Sequence, residues 1–428
     1  MCKALESQEK TNRRAVAGWC LYDFANSAFN TVIITFVFSV YFGRAVIGDE
    51  TQGAAYWGYA ISASSFVVAI LGPILGSATD YSGRHKRPLL LATLACVVAT
   101  CGLWFAVPDM GGFGVLMILG LLAFANIAFE LGQVFYNAML PNIAPSSHTG
   151  RISGWAWGLG YFGGLLCLAI VLWALVGLGD IQPALGLTKD DGINVRAVAI
   201  CVALWYLLFS LPIFMFTPQE TARVVSMRRA VAEGWDAIKT LLHEIKGHKN
   251  FVRFLIASAL YRDGLVTLFA VGGIYAADVY DMAFDEILIF AIGLNVTAGL
   301  GAFAFSFMDD KAGSKKTVMI ALTGLVLVGV LILMTDSKMV FMGLSLLLGI
   351  FIGPVQAASR TLAARLSVPG TEGQNFGLYA MTGKSVAFLG PLGFALATDI
   401  FDTQKAGLFV ILLFWLVGFI ILRKVREQ

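Results

Sequence analysis

Charge is scarce in this sequence. Of 428 residues, 30 are Lys or Arg and 27 are Asp or Glu, 13% together, where a soluble domain carries about 25%. That shortage excludes an ordinary water-soluble globule and a disordered chain alike. Histidine is scarcer still. His85, His148, His243 and His248 are not spaced as metal ligands, so no metal site is expected. The six cysteines comprise Cys2 in the N-terminal tail and Cys20, Cys96, Cys101, Cys167 and Cys201 in or near apolar runs. None falls in an oxidising loop, and no disulfide is expected. There is no Walker loop, which argues against ATP-driven pumping. Gly158, Gly160 and Gly163 match a dinucleotide fingerprint, but no strand precedes them, so no cofactor is implied. Asn295 and Thr297 match a glycosylation acceptor inside an apolar run, where it has no use. No cluster of His, Ser or paired carboxylates points to catalysis, so the chain does not read as an enzyme.

What is abundant is apolar sequence, 58% of the chain, with a mean hydropathy of +0.78. Twelve apolar runs follow one another, near 15–42, 53–78, 87–107, 113–138, 152–177, 196–216, 251–277, 284–307, 316–335, 338–359, 374–398 and 404–422. Each reaches the about 20 residues that span a bilayer as a helix, and lipid leaves no other open-chain solution for the backbone. The expectation is an all-α membrane protein of twelve transmembrane helices. Lys and Arg fall in alternate gaps. Twenty-three of the thirty lie in the termini or in the gaps after even-numbered runs. Only Arg44, Lys189, Arg196, Lys338 and Lys405 lie in the other gaps. By the positive-inside rule both termini are cytoplasmic. The net charge of +3 is then a topology signal, not a sign of nucleic-acid binding. The first run is long and lacks a small-residue cleavage site, so it reads as a retained span.

The organisation expected is a cytoplasmic tail over 1–14, a six-helix bundle over 15–216, a basic cytoplasmic linker over 217–250, a second bundle over 251–422 and a tail over 423–428. In the linker Trp235, Ile238, Leu241, Leu242 and Ile245 recur at helical spacing, as in an amphipathic helix lying on the membrane surface. The halves echo each other. Gly76, Asp80, Gly83, Arg84, Lys86 and Arg87 follow the second run; Asp309, Asp310, Lys311, Gly313, Lys315 and Lys316 follow the eighth. Leu21, Tyr22 and Asp23 are matched by Leu260, Tyr261, Arg262 and Asp263. Parallel repeats of this kind mark secondary transporters.

The Gly76 to Arg87 stretch resembles the loop between helices 2 and 3 of the major facilitator superfamily. The resemblance implies two pseudo-symmetric bundles of six helices in a rocker-switch transporter that works as a monomer. It implies a gating role for Gly76, Asp80, Gly83 and Arg84, and for Asp310 and Gly313 in the second half. Asp80 and Arg84 would make charge contacts between helix ends that hold the cytoplasmic side closed. Two further stretches narrow the branch: Tyr22 through Phe29, and Gln356 through Arg360 and Arg365 to Phe376, Gly383, Lys384 and Pro391. Together they resemble the vacuole-effluxer branch, which includes fungal autophagy proteins that export amino acids. Short loops fit a bacterial inner membrane.

Charges inside spans are expensive, about 2.5–3.5 kcal/mol each on insertion scales. Asp23, Glu130, Arg262, Asp263 and Lys384 sit within spans, with Gln356 and Arg360 toward the cytoplasmic end of the tenth. In the resembling fold, helices 1, 4, 7 and 10 line the cavity, and the buried acids lie on three of them. Asp23, Asn26, Ser27 and Asn30 share one helical face. So do Asn126, Glu130, Gln133 and Asn137, with Tyr136 alongside. These residues are the candidate substrate and proton site. A carboxylate whose surroundings alternate between apolar and charged exchanges a proton, and Asp23 or Glu130 is expected to do so. Adjacent helical residues do not face each other, so Asp263 is expected to partner Lys384 or a substrate amine, not Arg262. Arg262 is a fork-shaped donor suited to a carboxylate. Both signs in one cavity suit a zwitterion, an amino acid or peptide-like solute. Trp155, Trp157 and Tyr161 read as packing or interface anchors. Two other readings remain open: a lipid or amphiphile exporter, and a non-transporting sensor on the same fold.

Overall fold

The computed structural model describes residues 12–177, 182–218 and 249–427, with scattered positions between 229 and 239. Residues 1–11 of the expected 1–14 tail and most of the amphipathic linker, including Ile238, Leu241, Leu242 and Ile245, lie outside the described residues. Among those described there is no strand. Twelve helices are long and apolar enough to cross a membrane: α1 (Arg13–Ile47), α2 (Glu50–Ser82), α3 (Lys86–Phe105), α4 (Gly112–Ala138), α5 (Ser146–Val176), α6 (Asp190–Phe216), α7 (Lys249–Tyr280), α8 (Ile289–Ala312), α9 (Ser314–Met334), α10 (Lys338–Leu366), α11 (Glu372–Phe401) and α12 (Gln404–Arg423). At 1.5 Å of rise per residue, about 20 residues cover the hydrocarbon core.

Short turns with side-chain caps join them. Asp49 accepts the Gln52 N–H at 2.9 Å to start α2, and Gly83, with φ of +64°, ends it. Ser337 and Thr403 cap α10 and α12. Large apolar side chains point outward, among them Phe113 at 84% and Met339 at 83% exposure. In water this surface would be a liability; in lipid it is the solvent-matched face.

Within the first half α1 packs on α5 and α6, and α3 on α4. Within the second, α7 packs on α12 and α10 on α8 and α9. The halves meet through α2 against α11 and α5 against α8, a pairing that exchanges under the half-to-half repeat. The contact is close because small residues line it. A Cβ on Gly76 would overlap the Gly373 carbonyl, and one on Gly154 would overlap the Ser306 side chain. Among the described residues, every hydrogen bond between the halves falls in the part of the bundle nearer the end that carries both termini.

Irregularities in two of the helices bear on the site. α1 widens into π-helical turns over Phe29–Phe36 and Phe42–Ile47, a form that recurs at functional positions. α11 breaks between Val386 and Leu389.

Candidate functional site

Arg360 on α10 donates four hydrogen bonds in the bundle interior, and it is only 1% exposed. Its Nη1 donates to Asp23 Oδ2 on α1 at 2.7 Å and to Asn137 Oδ1 on α4 at 3.4 Å. Its Nε donates to Ser153 Oγ at 2.9 Å and its Nη2 to the Ser153 carbonyl at 2.6 Å, both on α5. The guanidinium plane lies 4.7 Å from the Trp19 ring, 4.8 Å from Trp157 and 5.7 Å from Tyr136. One second-half side chain thus ties three helices of the first half. Such a buried pair is poor evidence of net stability, because desolvation offsets the attraction. It is good evidence of a state-specific lock, because separating the halves must break it.

Trp19 and Tyr136 frame this hub by exchanging bonds. Trp19 Nε1 donates to the Tyr136 carbonyl and Tyr136 Oη to the Trp19 carbonyl, at 3.1 and 2.9 Å. Gln356, one turn along α10 from Arg360, accepts through Oε1 from Trp157 Nε1 at 3.0 Å and from Tyr161 Oη at 2.6 Å. Trp157 and Tyr161 were expected to be packing anchors. The structure instead places them in the polar layer between the halves. Their spacing of four on α5, beside Gly154 and Gly158, was the available signal. Ser153 and Trp19 carried none.

A second layer lies deeper. Lys384 Nζ on α11 donates to Glu130 Oε1 on α4 at 2.6 Å, with side chains 26% and 20% exposed. Arg262 on α7 lies with its guanidinium 4.0 Å over the Tyr379 ring and makes one hydrogen bond, to the Tyr379 carbonyl at 3.3 Å. It also borders Gly383, the residue before Lys384. Arg262 has no carboxylate partner among the described residues. The expected pairing of Asp263 with Lys384 is corrected. Asp263 is turned into the second bundle and 2% exposed, where its Oδ2 accepts the Gly390 N–H at 2.8 Å. Spacing along α7 fixed its distance from Arg262 but not the cross-bundle partner of Lys384.

The polar stripes are only partly kept together. Asn26 donates to Asp23 Oδ1 at 3.5 Å. Asn30 is exposed and lies in the π-helical segment that begins at Phe29. Asn126 donates to Ser64 Oγ at 2.7 Å and joins α4 to α2. Gln133 is half-buried, with no hydrogen bond among the described residues. Tyr136 is fully buried, stacked on Trp19 at 4.5 Å.

At the end carrying the termini, Asp80 Oδ1 accepts the Gly373 N–H at 2.8 Å and Oδ2 the Gln374 N–H at 2.7 Å. A carboxylate from α2 thus caps the start of α11, where the backbone donors and the helix dipole favour it. The repeat does the same. Asp310 Oδ1 accepts the Arg151 N–H of α5 at 3.0 Å, and Oδ2 lies 3.3 Å from Arg151 Nε. The expected Arg84 contact is corrected. The side chain beside Asp80 is His85, 3.0 Å away, and Arg84 forms no ion pair among the described residues. Gly83 and Gly313 supply the positive φ at the turns, +64° and +95°. A contact not anticipated is Glu427 of the C-terminal tail. It accepts from Ser314 N and Lys315 N at 2.8 Å each and from Arg365 Nη1 at 2.8 Å.

A family model described as vacuole effluxer Atg22 like matches residues 11–428. The MFS-type transporter YxiO of Bacillus subtilis (strain 168) is 25% identical over 417 residues, 96% of this chain and 94% of that protein. Autophagy-related protein 22 of Cryptococcus neoformans is 25% identical over 300 residues, 65% of this chain and 53% of that protein, so the chain spans about half the length of this fungal relative. Among solved structures, the major facilitator transporter FucP in its outward conformation matches with a TM-score of 0.75 at 12% identity, over 99% of this chain and 100% of that one. A bacterial homologue of the iron transporter ferroportin in its outward-facing state matches with a TM-score of 0.69 at 12% identity, over 98% and 100%. The structural likenesses show the fold; the family model shows the branch. Twelve spans, paired halves and a full-length family match lead to one conclusion: the chain belongs to the Atg22-like effluxer family, a branch of the major facilitator superfamily of membrane transporters.

Proposed function

We propose that this transporter carries a small zwitterionic solute, an amino acid or short peptide, by alternating access coupled to a proton. The observation that carries the reading is Arg262, a cation held over Tyr379 with no carboxylate partner among the described residues, beside the Glu130–Lys384 pair. Two cations and one carboxylate leave room for one more carboxylate, which the fork of Arg262 suits. The ammonium of the same solute can replace Lys384 on Glu130 and release the bond that ties α4 to α11. The Arg360–Asp23 lock would part in the same movement. Asp23 and Glu130 are then the carboxylates that change partner, which is the condition for exchanging a proton. These groups support transport over a sensor built on the same fold. Lys and Arg distribution supports placing the bonded end, with both termini, in the cytoplasm of a bacterial inner membrane.

The test is ligand-induced thermal stabilisation of the purified protein with amino acids, dipeptides, nucleosides and a lipid-like amphiphile. A ligand at about 100 times its Kd adds about 2.7 kcal/mol. Stabilisation by an amino acid or dipeptide, lost in Arg262→Gln and in Glu130→Gln, supports the reading. Stabilisation only by the amphiphile, or stabilisation indifferent to both substitutions, overturns it.

A further inference from the structure

Asp263 is unlike the other carboxylates of the bundle interior. Asp23 and Glu130 each hold a cation. Asp263 holds none. Its Oδ2 takes the Gly390 N–H at 2.8 Å, while its Oδ1 is buried with no hydrogen-bond partner. The side chain is 2% exposed. Charged groups on the elements packed around it face elsewhere. On α7, Arg262 is turned onto Tyr379. On α11, Lys384 is bonded to Glu130. On α12, the indole of Trp415 lies close to Gly264, its Nε1 also without a hydrogen-bond partner, while Lys405 pairs with Asp336. A bare carboxylate in such a place carries a heavy desolvation cost unless a proton neutralises it.

The site also sits on a mechanical feature. Gly390 belongs to the first turn of the second segment of α11, just past the break after Val386. Its N–H is one of the donors a helix start leaves free. A Cβ at Gly390 would overlap Thr267 Oγ1 and reach within 3.1 Å of Asp263 Oδ1, so glycine lets α11 close onto α7 here. Thr267 in turn donates to the Asp263 backbone carbonyl at 2.8 Å within α7, and its hydroxyl lines the same close contact with Gly390.

We propose that Asp263 is a proton-binding site that controls the outer segment of α11, Leu389–Phe401, through its contact with Gly390. With a proton on Oδ1 the pocket is neutral, and the Gly390 N–H still finds Oδ2. Loss of that proton leaves an unpaired buried anion. The relief is for α11 to shift at its break and admit water or a cation. The proton thus selects between two settings of α11, and with them the width of the opening at the end away from the termini. The cargo-facing residues take no part in this contact.

The test needs no cargo, so its outcome is separate from that of the transport reading. Spin labels are placed at Thr51→Cys and Phe401→Cys, exposed positions at the outer ends of α2 and α11, in a background with the native cysteines replaced. Pulsed electron spin resonance then follows their separation from about pH 9 to about pH 5, the range in which buried carboxyls titrate. The expected result is that one separation, that of the setting with the Asp263–Gly390 contact intact, prevails at low pH and a second one grows as pH rises, and that Asp263→Asn keeps the low-pH distribution throughout. A pH response in Asp263→Asn equal to that of the parent, or no response in the parent, overturns the proposal. Asp263→Glu keeps an acid in a changed position. A displaced midpoint supports the assignment, and an unmoved midpoint overturns it.

Discussion

Replacing Asp23 by Asn removes a charge while keeping the shape of the side chain, and among the described residues it acts on the most buried ion pair between the halves. Arg360 would stay in place with its Ser153 and Asn137 bonds and its three aromatic neighbours. What it loses is the 2.7 Å ion pair. Removing one partner of a buried pair costs about 3–5 kcal/mol. The retained bonds place this case at the lower end. The cost falls only on the conformation that buries the pair. A difference of about 3 kcal/mol changes the ratio of two conformations on the order of a hundredfold. Labels at Asn142→Cys and Lys316→Cys, both exposed and on opposite halves at the end carrying the termini, report that ratio. Pulsed spin resonance should show a new long-distance population in Asp23→Asn. In Asp23→Asn/Arg360→Gln the short distance should return, because replacing both charges relieves the uncompensated one. A single variant whose distances superimpose on the parent would refute the lock.

The same labels test the small-residue contact. Gly76→Ala places a methyl group against the Gly373 carbonyl, and should widen the labelled distance more than Gly58→Ala, where a Cβ meets nothing. Asp80→Asn and Asp310→Asn should each lower thermal stability through loss of an anion at a helix start, by about 0.3–1 kcal/mol, and their effects should add because they cap different helices. Arg262→Lys keeps the charge but loses the fork and the flat stack on Tyr379. Cargo affinity, read by isothermal titration, should fall by about 0.5–2 kcal/mol, and full retention would place the cargo elsewhere.

Much of the fold was legible because lipid imposes simple rules. Run length gave the twelve spans, and recurrence of the Asp80 and Asp310 loops gave the half-to-half symmetry that both helix caps now share. Charges inside spans were legible too, since each demands a reason, and Asp23, Glu130, Arg360 and Lys384 all found one across the interface. Pairings were not legible. Which cation meets Glu130 depends on how α4 and α11 approach, and nothing within either helix encodes that. Asn126, on the polar stripe of α4, makes an interhelical bond to α2. Glu427 was missed because a single acid in a short tail has no pattern; its role comes from the free N–H groups at the start of α9. Arg84 was overvalued because a motif fixes residue type and spacing, not the rotamer of a long side chain.

The account rests on cargo meeting the charges at the middle of the bundle, and exchange of labelled amino acids tests that most directly. Proteoliposomes loaded with an unlabelled amino acid or dipeptide are diluted into its labelled form, and uptake by counterflow is followed for the parent and for Arg262→Gln. The account predicts saturable exchange of at least one such solute in the parent and its loss in the variant. Exchange equal in both proteins, or none in the parent with any amino acid or dipeptide while another class of solute exchanges, would contradict it.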